Sequence, residues 1–554
     1  MFLAKQISSL HKVRVNDDFN MNEITKEAML CGERFTYQIS MRSDEPIMGN
    51  IRLESPLLDC IRIYKVENSV MDAPVIEKVD EEGYITTEPG LMPDLLLPIE
   101  NNSVLTVNAT GKTLWIELNI PKDIAAGEYK INFAFETFDF AKPDTTRATA
   151  ATKAMTVEVL PLAKKEQSLI YTRWFYADCI ADYHDVPIYS DEHFNLIEAY
   201  IREAVDVGIN MILVPIHTPP LDTAIGTERP CVQLVDIKKV GDEYIFGFEK
   251  LRRFVDICKR AGIRYYEMAH MFSQWGAKRA ANIMVEENGK KSYMFGWHVE
   301  STAPVYIEFL KQYVSAISKE LELLGIAENT YYHISDEPSV DRIDAYRTAL
   351  DTIRPYIGNC HTFDALSSKE FYERGLVECP VTMVSHIHEF LPLNAPNQWV
   401  YYCCEPQTTY TNAFMAMPSC RTRILGILIY KYDIKGFLHW GFNFYNSQVS
   451  YYRINPYVTT SGDGRYPSGD PFIVYPAPDG AYPSIRGKIT YEAIGDLDLC
   501  RTLEEYIGRD EVVKMIDKFA NMDVRFDSYP LDSDFLPKLR AAMIEKIKEY
   551  ILKN

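Results

Sequence analysis

The chain has 554 residues, 47% hydrophobic and 25% charged, the balance of a folded globular protein too long for one typical domain. Its 58 Lys and Arg against 78 Asp and Glu leave a formal charge of −20, which argues against nucleic acid or an anionic membrane as a partner. No run of about 18 apolar residues occurs, so no membrane span is expected.

Residues 1–164 read as β-structure. In "TLWIELNIP" Leu114, Ile116, Leu118 and Ile120 fall on one face. "GEYKINFAFETF" does the same with Tyr129, Ile131, Phe133 and Phe135, and "MTVEVLP" with Met155, Val157 and Val159. Alternation of period two, punctuated by Pro, Gly and Asn, marks antiparallel strands with one buried face. Several of these in succession predict an N-terminal antiparallel β-sandwich domain.

From residue 165 the period changes, and strand-like runs alternate with helical ones. The strands are expected at 168–178, 209–217, 263–270, 330–337, 357–363, 381–387, 398–405 and 436–444. Between them, 303–324 places Pro304 at a first helical position and aligns Leu310, Val314, Ile317, Leu321 and Leu324 in one stripe. "SVDRIDAYRTALDTIRPY" follows with Ser339 as an expected N-cap. Eight strands, each followed by a helix, predict an α/β fold, a (β/α)8 TIM-type barrel over 165–500, with a doubly wound open sheet as the alternative. The segment 450–487, rich in Gly, Pro, Ser and Tyr, is expected to be a long ordered loop near the barrel mouth. Residues 501–554 close the chain as a C-terminal helical tail, with stretches at 502–519 and 534–552. The second carries Leu539, Met543, Ile547 and Ile551 on one stripe.

In either α/β fold the reactive groups belong at the carboxyl ends of the strands. Those tips carry Asp178, His217, His270, Asp336 with Glu337, His361 with Asp364, His386 with His388, Glu405, and Trp440 with Asn443. Trp275, Trp297, Tyr402 and Tyr445 lie there or just beyond. The concentration at one rim is the informative feature, since any one of these residues alone reads as structural.

"YYHISDEPSV" (331–340) sets two carboxylates side by side at a strand end. Two adjacent negative charges repel and raise one pKa. By alternation Tyr331, His333, Ser335 and Glu337 share one face and Tyr332, Ile334 and Asp336 the other. Both acids reach one ligand only if the backbone turns, and Pro338 supports an end here. The structural alternative is a helix N-terminus, where acids suit the dipole. An adjacent pair fits glycoside cleavage assisted by the substrate's own 2-acetamido group. One acid then orients that group and the other serves as general acid and base. Trp275, Trp440 and Tyr402 are candidates to box the acetyl methyl and stack on the sugar.

"HISDEP", "EMAHMFSQWGA", "FGWH", "GFLHWGFNFY" and "VYPAPDGAYPSIR" resemble, in order over roughly 165–500, the motifs of glycoside hydrolase family 123. The resemblance implies a retaining β-N-acetylgalactosaminidase with a catalytic barrel, an N-terminal sandwich, no metal and no cofactor. It implies that Asp336 polarises the acetamido group and that Glu337 is the general acid/base. Motif position together with strand-tip logic places Asp178, His270, Trp275, His333, Tyr402, Trp440 and Asn443 around the sugar. The expected partner is an oligosaccharide or glycoconjugate ending in β-linked N-acetylgalactosamine. Two alternatives are a non-catalytic carbohydrate-binding protein on the same scaffold and a β-N-acetylhexosaminidase of different specificity. The opening "MFLAKQISSLHKVRVNDDF" lacks a signal-like apolar core. The 11 cysteines are scattered, with Cys403 and Cys404 adjacent but without metal-ligand spacing. Both observations lead to the expectation of a cytoplasmic protein with reduced thiols.

Overall fold

The period-two segments of the first 164 residues form two five-stranded sheets. The computed structural model that shows them describes residues 1–552, apart from Asn16, Lys78, Asp80, residues 139–147 and Trp275. One sheet orders Phe2–Ser8, Arg34–Ser43, Lys112–Asn119, Ile61–Met71 and Gly90–Ile99, antiparallel throughout. The other orders Lys26–Cys31, Ala148–Ala163, Gly127–Thr137, Ile47–Glu54 and Val104–Val107. Ile39, Leu114 and Ile116 of the first pack with Ile51, Phe133, Phe135 and Val157 of the second in one core, as alternation requires. One pairing departs from the antiparallel expectation: the edge strand Lys26–Cys31 runs parallel to its neighbour. Alternation reports which face is buried and carries no information on strand direction.

Compactness does not follow the chain. One unit joins Met1–Ser168 to Thr408–Lys431 and Tyr482–Asn554, and the other comprises Leu169–Gln407 and Tyr432–Ala481. In the first unit the helices Ile485–Ile507 and Phe535–Ile551 are tied to the sandwich by buried ion pairs. Arg486 meets Asp94 through two hydrogen bonds of 3.0 and 2.9 Å, Lys488 lies 2.9 Å from Glu117, and Arg540 2.7 Å from Glu33. The helix expected at 502–519 is two helices broken at Gly508, whose φ of +80° only glycine adopts freely. Leu539, Met543 and Ile547 are buried as their stripe predicts.

The second unit holds a closed barrel of eight parallel strands. They are β1 (Ile170–Arg173), β2 (Met211–Val214), β3 (Tyr265–Met268), β4 (Thr330–Tyr332), β5 (His361–Leu366), β6 (Cys379–Met383), β7 (Trp399–Tyr401) and β8 (Gly436–His439). This is the expected (β/α)8 barrel, and the open-sheet alternative falls. The paired segments are shorter than the apolar runs because the strand tips peel away to build the rim. Helices follow β1 to β4 at Asp191–Asp206, Glu249–Ala261, Pro304–Leu323 and Ile343–Ile353. Pro304 occupies the first turn as predicted. Ser339 does not cap: it precedes a 3-10 turn, Val340–Arg342, without a side-chain cap bond, and the helix starts at Ile343. Hairpins Asp236–Gly247 and Ile283–Phe295, from the connections after β2 and β3, add a four-stranded sheet that no strong alternation announced. Among the described residues no helix is long and apolar enough to cross a membrane.

Candidate active site

The barrel interior begins with an inner ring of polar side chains. His333, one residue past β4, is wholly buried. Its Nε2 lies 2.9 Å from Glu267 Oε2 on β3 and its Nδ1 3.1 Å from Asp364 Oδ1 on β5. Thr172 on β1 donates to the other Glu267 oxygen, and Tyr346 donates to Asp364 at 2.6 Å. Burial opposes charge on His333, yet the hydrogen bonds to Asp364 and Glu267 raise its pKa to about 9. It is therefore an imidazolium between two carboxylates. His270 stacks on it with ring centroids 3.9 Å apart, and burial together with the His333 charge holds His270 neutral. His270, His333 and Asp364 approach closely enough to hold a metal ion. Both His333 nitrogens, however, share protons with carboxylates and present no lone pair to a metal.

Three residues further along, the chain turns. Ser335 anchors it, donating from Oγ to Ser273 O at 3.1 Å and accepting from Ala277 N at 3.1 Å. Glu337 then adopts φ +42°, a left-handed conformation unusual for a residue other than glycine, which costs on the order of 1–3 kcal/mol. This turn lets side chains of opposite strand parity line the same cleft. Asp336 and Glu337 both do so, in a cavity of about 220 Å³.

Each acid has a hydrogen-bonding partner from a neighbouring element. Tyr401, at the end of β7, donates to Glu337 Oε1 at 2.6 Å. Gln274, in the loop after β3, donates to Asp336 Oδ2 at 3.0 Å. Gln274 is oriented in turn by Asp222, whose backbone N–H donates to its Oε1 at 2.8 Å. Burial and then the Glu337 charge push the Asp336 carboxyl well above the carboxylate range. Burial raises Glu337 against the opposing Tyr401 hydrogen bond. As a pair they retain a proton at a pH where isolated carboxyls have lost theirs.

A third acid, Asp222, also lines the cleft. Tyr176 donates to its Oδ2 at 3.3 Å. Burial raises its pKa to about 6, against the pull of Arg229. Trp174, Trp440 and Tyr466 form the aromatic part of the wall. Trp440 is fixed by donation to Asp470 at 2.9 Å and by contact with the Tyr466 ring, centroids 4.9 Å apart. Tyr466 comes from the 450–487 segment, which thus supplies part of the site.

Of the residues expected around a sugar, Asp336, Glu337 and Trp440 line the cleft. His333 and His270 lie beneath it in the buried ring. Asp178 is buried in the first turn of the helix Ala177–His184, 3.5 Å from Arg229 Nε. Asn443 holds the backbone of Tyr176, accepting at 2.9 Å and donating at 3.0 Å. Tyr402 is buried against Phe437 and His439. Neither Asp178, Asn443 nor Tyr402 is part of the cleft lining. Trp275 lies outside the described residues. Asp222, Gln274, Trp174, Tyr401 and Tyr466 were missed. For Tyr401 the signal was present: by alternation along β7 it opposes Tyr402, and it shares the face of Trp399, whose ring packs inside against Phe363 and Tyr331.

A parallel eight-stranded barrel with carboxyls and aromatic walls where its strands end has the layout of the barrel enzymes, whose chemistry is done at that rim. The catalytic-domain model of glycoside hydrolase family 123 matches residues 174–503. The chain belongs to that family and is a glycoside hydrolase. Among solved structures it is similar to a family 123 glycoside hydrolase from Clostridium perfringens, whose analysis concerns glycolipid glycan hydrolysis. The TM-score is 0.75 at 16% identity, covering 100% of this chain and 99% of that one. Weaker likenesses include a family 5 mannosidase from Rhizomucor miehei (TM-score 0.34, 12% identity, 62% of this chain and 95% of that one). A β-glucuronidase from Bifidobacterium dentium scores 0.33 at 10% identity, over 83% of this chain and 63% of that one. Neither informs the chemistry. No curated protein sequence matches the chain.

Proposed function

We propose that the protein is an exo-acting, retaining glycosidase that removes terminal β-linked N-acetylgalactosamine by substrate assistance. The observation that supports this reading is the turn at Glu337, which brings two adjacent, proton-retaining acids to one cleft. An arriving acetamido N–H favours the ionised form of Asp336, so the pair's proton resides on Glu337. Glu337 gives that proton to the glycosidic oxygen while the acetamido carbonyl oxygen bonds to the anomeric carbon and the aglycone leaves. The resulting oxazolinium cation is held by the Asp336 carboxylate. Water then adds to the anomeric carbon, its proton passing to Glu337, and the ring reopens to the sugar with retained configuration. Asp222 supplies an acceptor for a sugar hydroxyl, and Trp440 a surface for the C–H face. The 11 cysteines, none of them in a disulfide, suit the reducing, cytoplasmic setting proposed for it.

A second reading is favoured by Asp222 itself. A carboxyl in the same cleft, close enough to Glu337 for their charges to interact, would serve as nucleophile in a two-carboxylate mechanism on a 2-hydroxy sugar. A panel of aryl glycosides varying the 2-substituent and the C4 configuration tests both. Turnover confined to 2-acetamido substrates, fastest with the galacto epimer, is the expected result. Equal turnover of 2-hydroxy substrates overturns substrate assistance, and a preference for the gluco epimer overturns the sugar assignment. Sugar binding without turnover of any glycoside would leave a binding protein.

A further inference from the structure

We propose that Cys403 and Cys404 form a dithiol site in the cleft wall that captures trivalent arsenicals, and that its occupation shuts the sugar site. The hydrolytic mechanism has no use for a thiol, yet both cysteines line the cleft beside Glu337 and Trp440. They are half-buried thiols, not a disulfide, and their sulfurs lie 3.9 Å apart. The Cys403 backbone N–H donates to Glu405 O at 2.9 Å, closing a tight turn that holds the pair together. A single thiophilic atom with bonds of roughly 2.3 Å, the length of a zinc–thiolate bond, spans that gap. Thiols favour soft centres of this kind. The other half-buried cysteines, Cys60 and Cys231, stand far apart in the chain, and the remaining seven are buried.

The surroundings favour a two-thiol reagent over a one-thiol reagent. The hydrogen bond with Cys404, then burial, then the Glu337 and Asp470 charges hold the Cys403 thiol well above its ordinary pKa. A monofunctional alkylator needs the thiolate and meets a protonated sulfur at Cys403. An arsenous group, R–As(OH)2, brings its own proton acceptors. Two S–H and two As–O bonds break, two As–S and two O–H bonds form, and two waters leave. Arsenic stays trivalent, so no oxidant or reductant is needed. The adduct would stand in the cavity next to Glu337, where the sugar must lie if the proposed function holds. The capture step itself does not rest on that reading.

The experiment is titration of the full-length protein with phenylarsine oxide, followed by intact mass and by turnover of an aryl glycoside. One phenylarsenic per chain is expected, displaced by ethanedithiol but not by an equal amount of monothiol, with turnover lost in proportion to occupancy. Cys403→Ser and Cys404→Ser should each weaken capture by roughly a hundredfold or more, the loss expected when a second linked contact is removed. Cys231→Ser should bind as the unsubstituted protein does. Cys403→Ala and Cys404→Ala give a second pair should the serine variants fail to fold. Equal labelling of a variant carrying both Cys403→Ser and Cys404→Ser, or full occupancy with undiminished turnover, overturns the inference. If no glycoside is turned over at all, the proposed function fails on its own, while stoichiometry and the single variants still decide the dithiol site.

Discussion

Two carboxylate clusters, centred on His333 and Glu337, lie four residues apart along the segment after β4, and they have opposite characters. Around His333, Glu267 and Asp364 share an imidazolium and two hydroxyl donors, and all three are sealed from solvent. Around Glu337, the acids Asp336 and Asp222 share no cation in contact among the described residues. Each has a side-chain donor, and all face a cavity. Burial is common to both clusters, and what differs is the counter-charge. A paired carboxylate buried in a ring specifies structure, whereas one that faces a cavity without a counter-ion keeps its proton and can transfer it.

The largest effects should come from the open cluster. Glu337→Gln is expected to lower kcat/KM by roughly 10²–10⁴-fold for a poor leaving group, with part of the loss recovered for a good one. Steady-state kinetics on two aryl leaving groups checks this, and an equal loss with both would erase the general-acid role. Asp336→Asn removes the like charge that raises the pair. The basic limb of the pH–rate profile should therefore move to lower pH, and an unmoved limb would show that the two acids do not interact.

The closed cluster should respond in stability. His333→Gln leaves Glu267 and Asp364 buried without a cation, a loss of about 3–5 kcal/mol in a denaturant titration. The sign with pH is fixed by a folded pKa near 9 against an ordinary 6.5. The contribution of His333 is whole below 6.5 and disappears as pH rises through 9, so the gap between the two proteins should narrow between those two values. A change in activity without one in stability would reverse the contrast between the clusters.

Smaller effects belong to the supporting groups. Asp222→Asn should raise KM more than it lowers kcat, by about tenfold or 1.4 kcal/mol, as expected of a hydroxyl acceptor. Collapse of kcat would instead favour the nucleophile reading. Tyr401→Phe removes the donor to Glu337 and should shift the basic limb upward, with a penalty of about 1.5–3 kcal/mol at most.

The barrel was legible because its eight apolar runs are separated by clear breaks, and strand ends are where chemistry collects on this fold. Asp336 and Glu337 stood out because adjacent acids at a strand end have few structural uses. Asp222 and Gln274 sit in irregular loops, where no period marks a position and only the closed barrel brings them to the cleft. Asp178 and Asn443 illustrate the converse. Both occupy rim positions, yet Asp178 answers Arg229 and Asn443 answers a backbone turn. Tyr402 was displaced by its neighbour because peeling strand tips defeat naive counting unless parity is carried from the strand's interior.

The buried pairs Arg486–Asp94 and Lys488–Glu117 bear on how this protein can be divided. A chain truncated before residue 165 would keep both cations inside an apolar helix face and delete both anions. The catalytic segment is therefore not a portable module. The sandwich strands and the helix from Ile485 must be expressed and exchanged together.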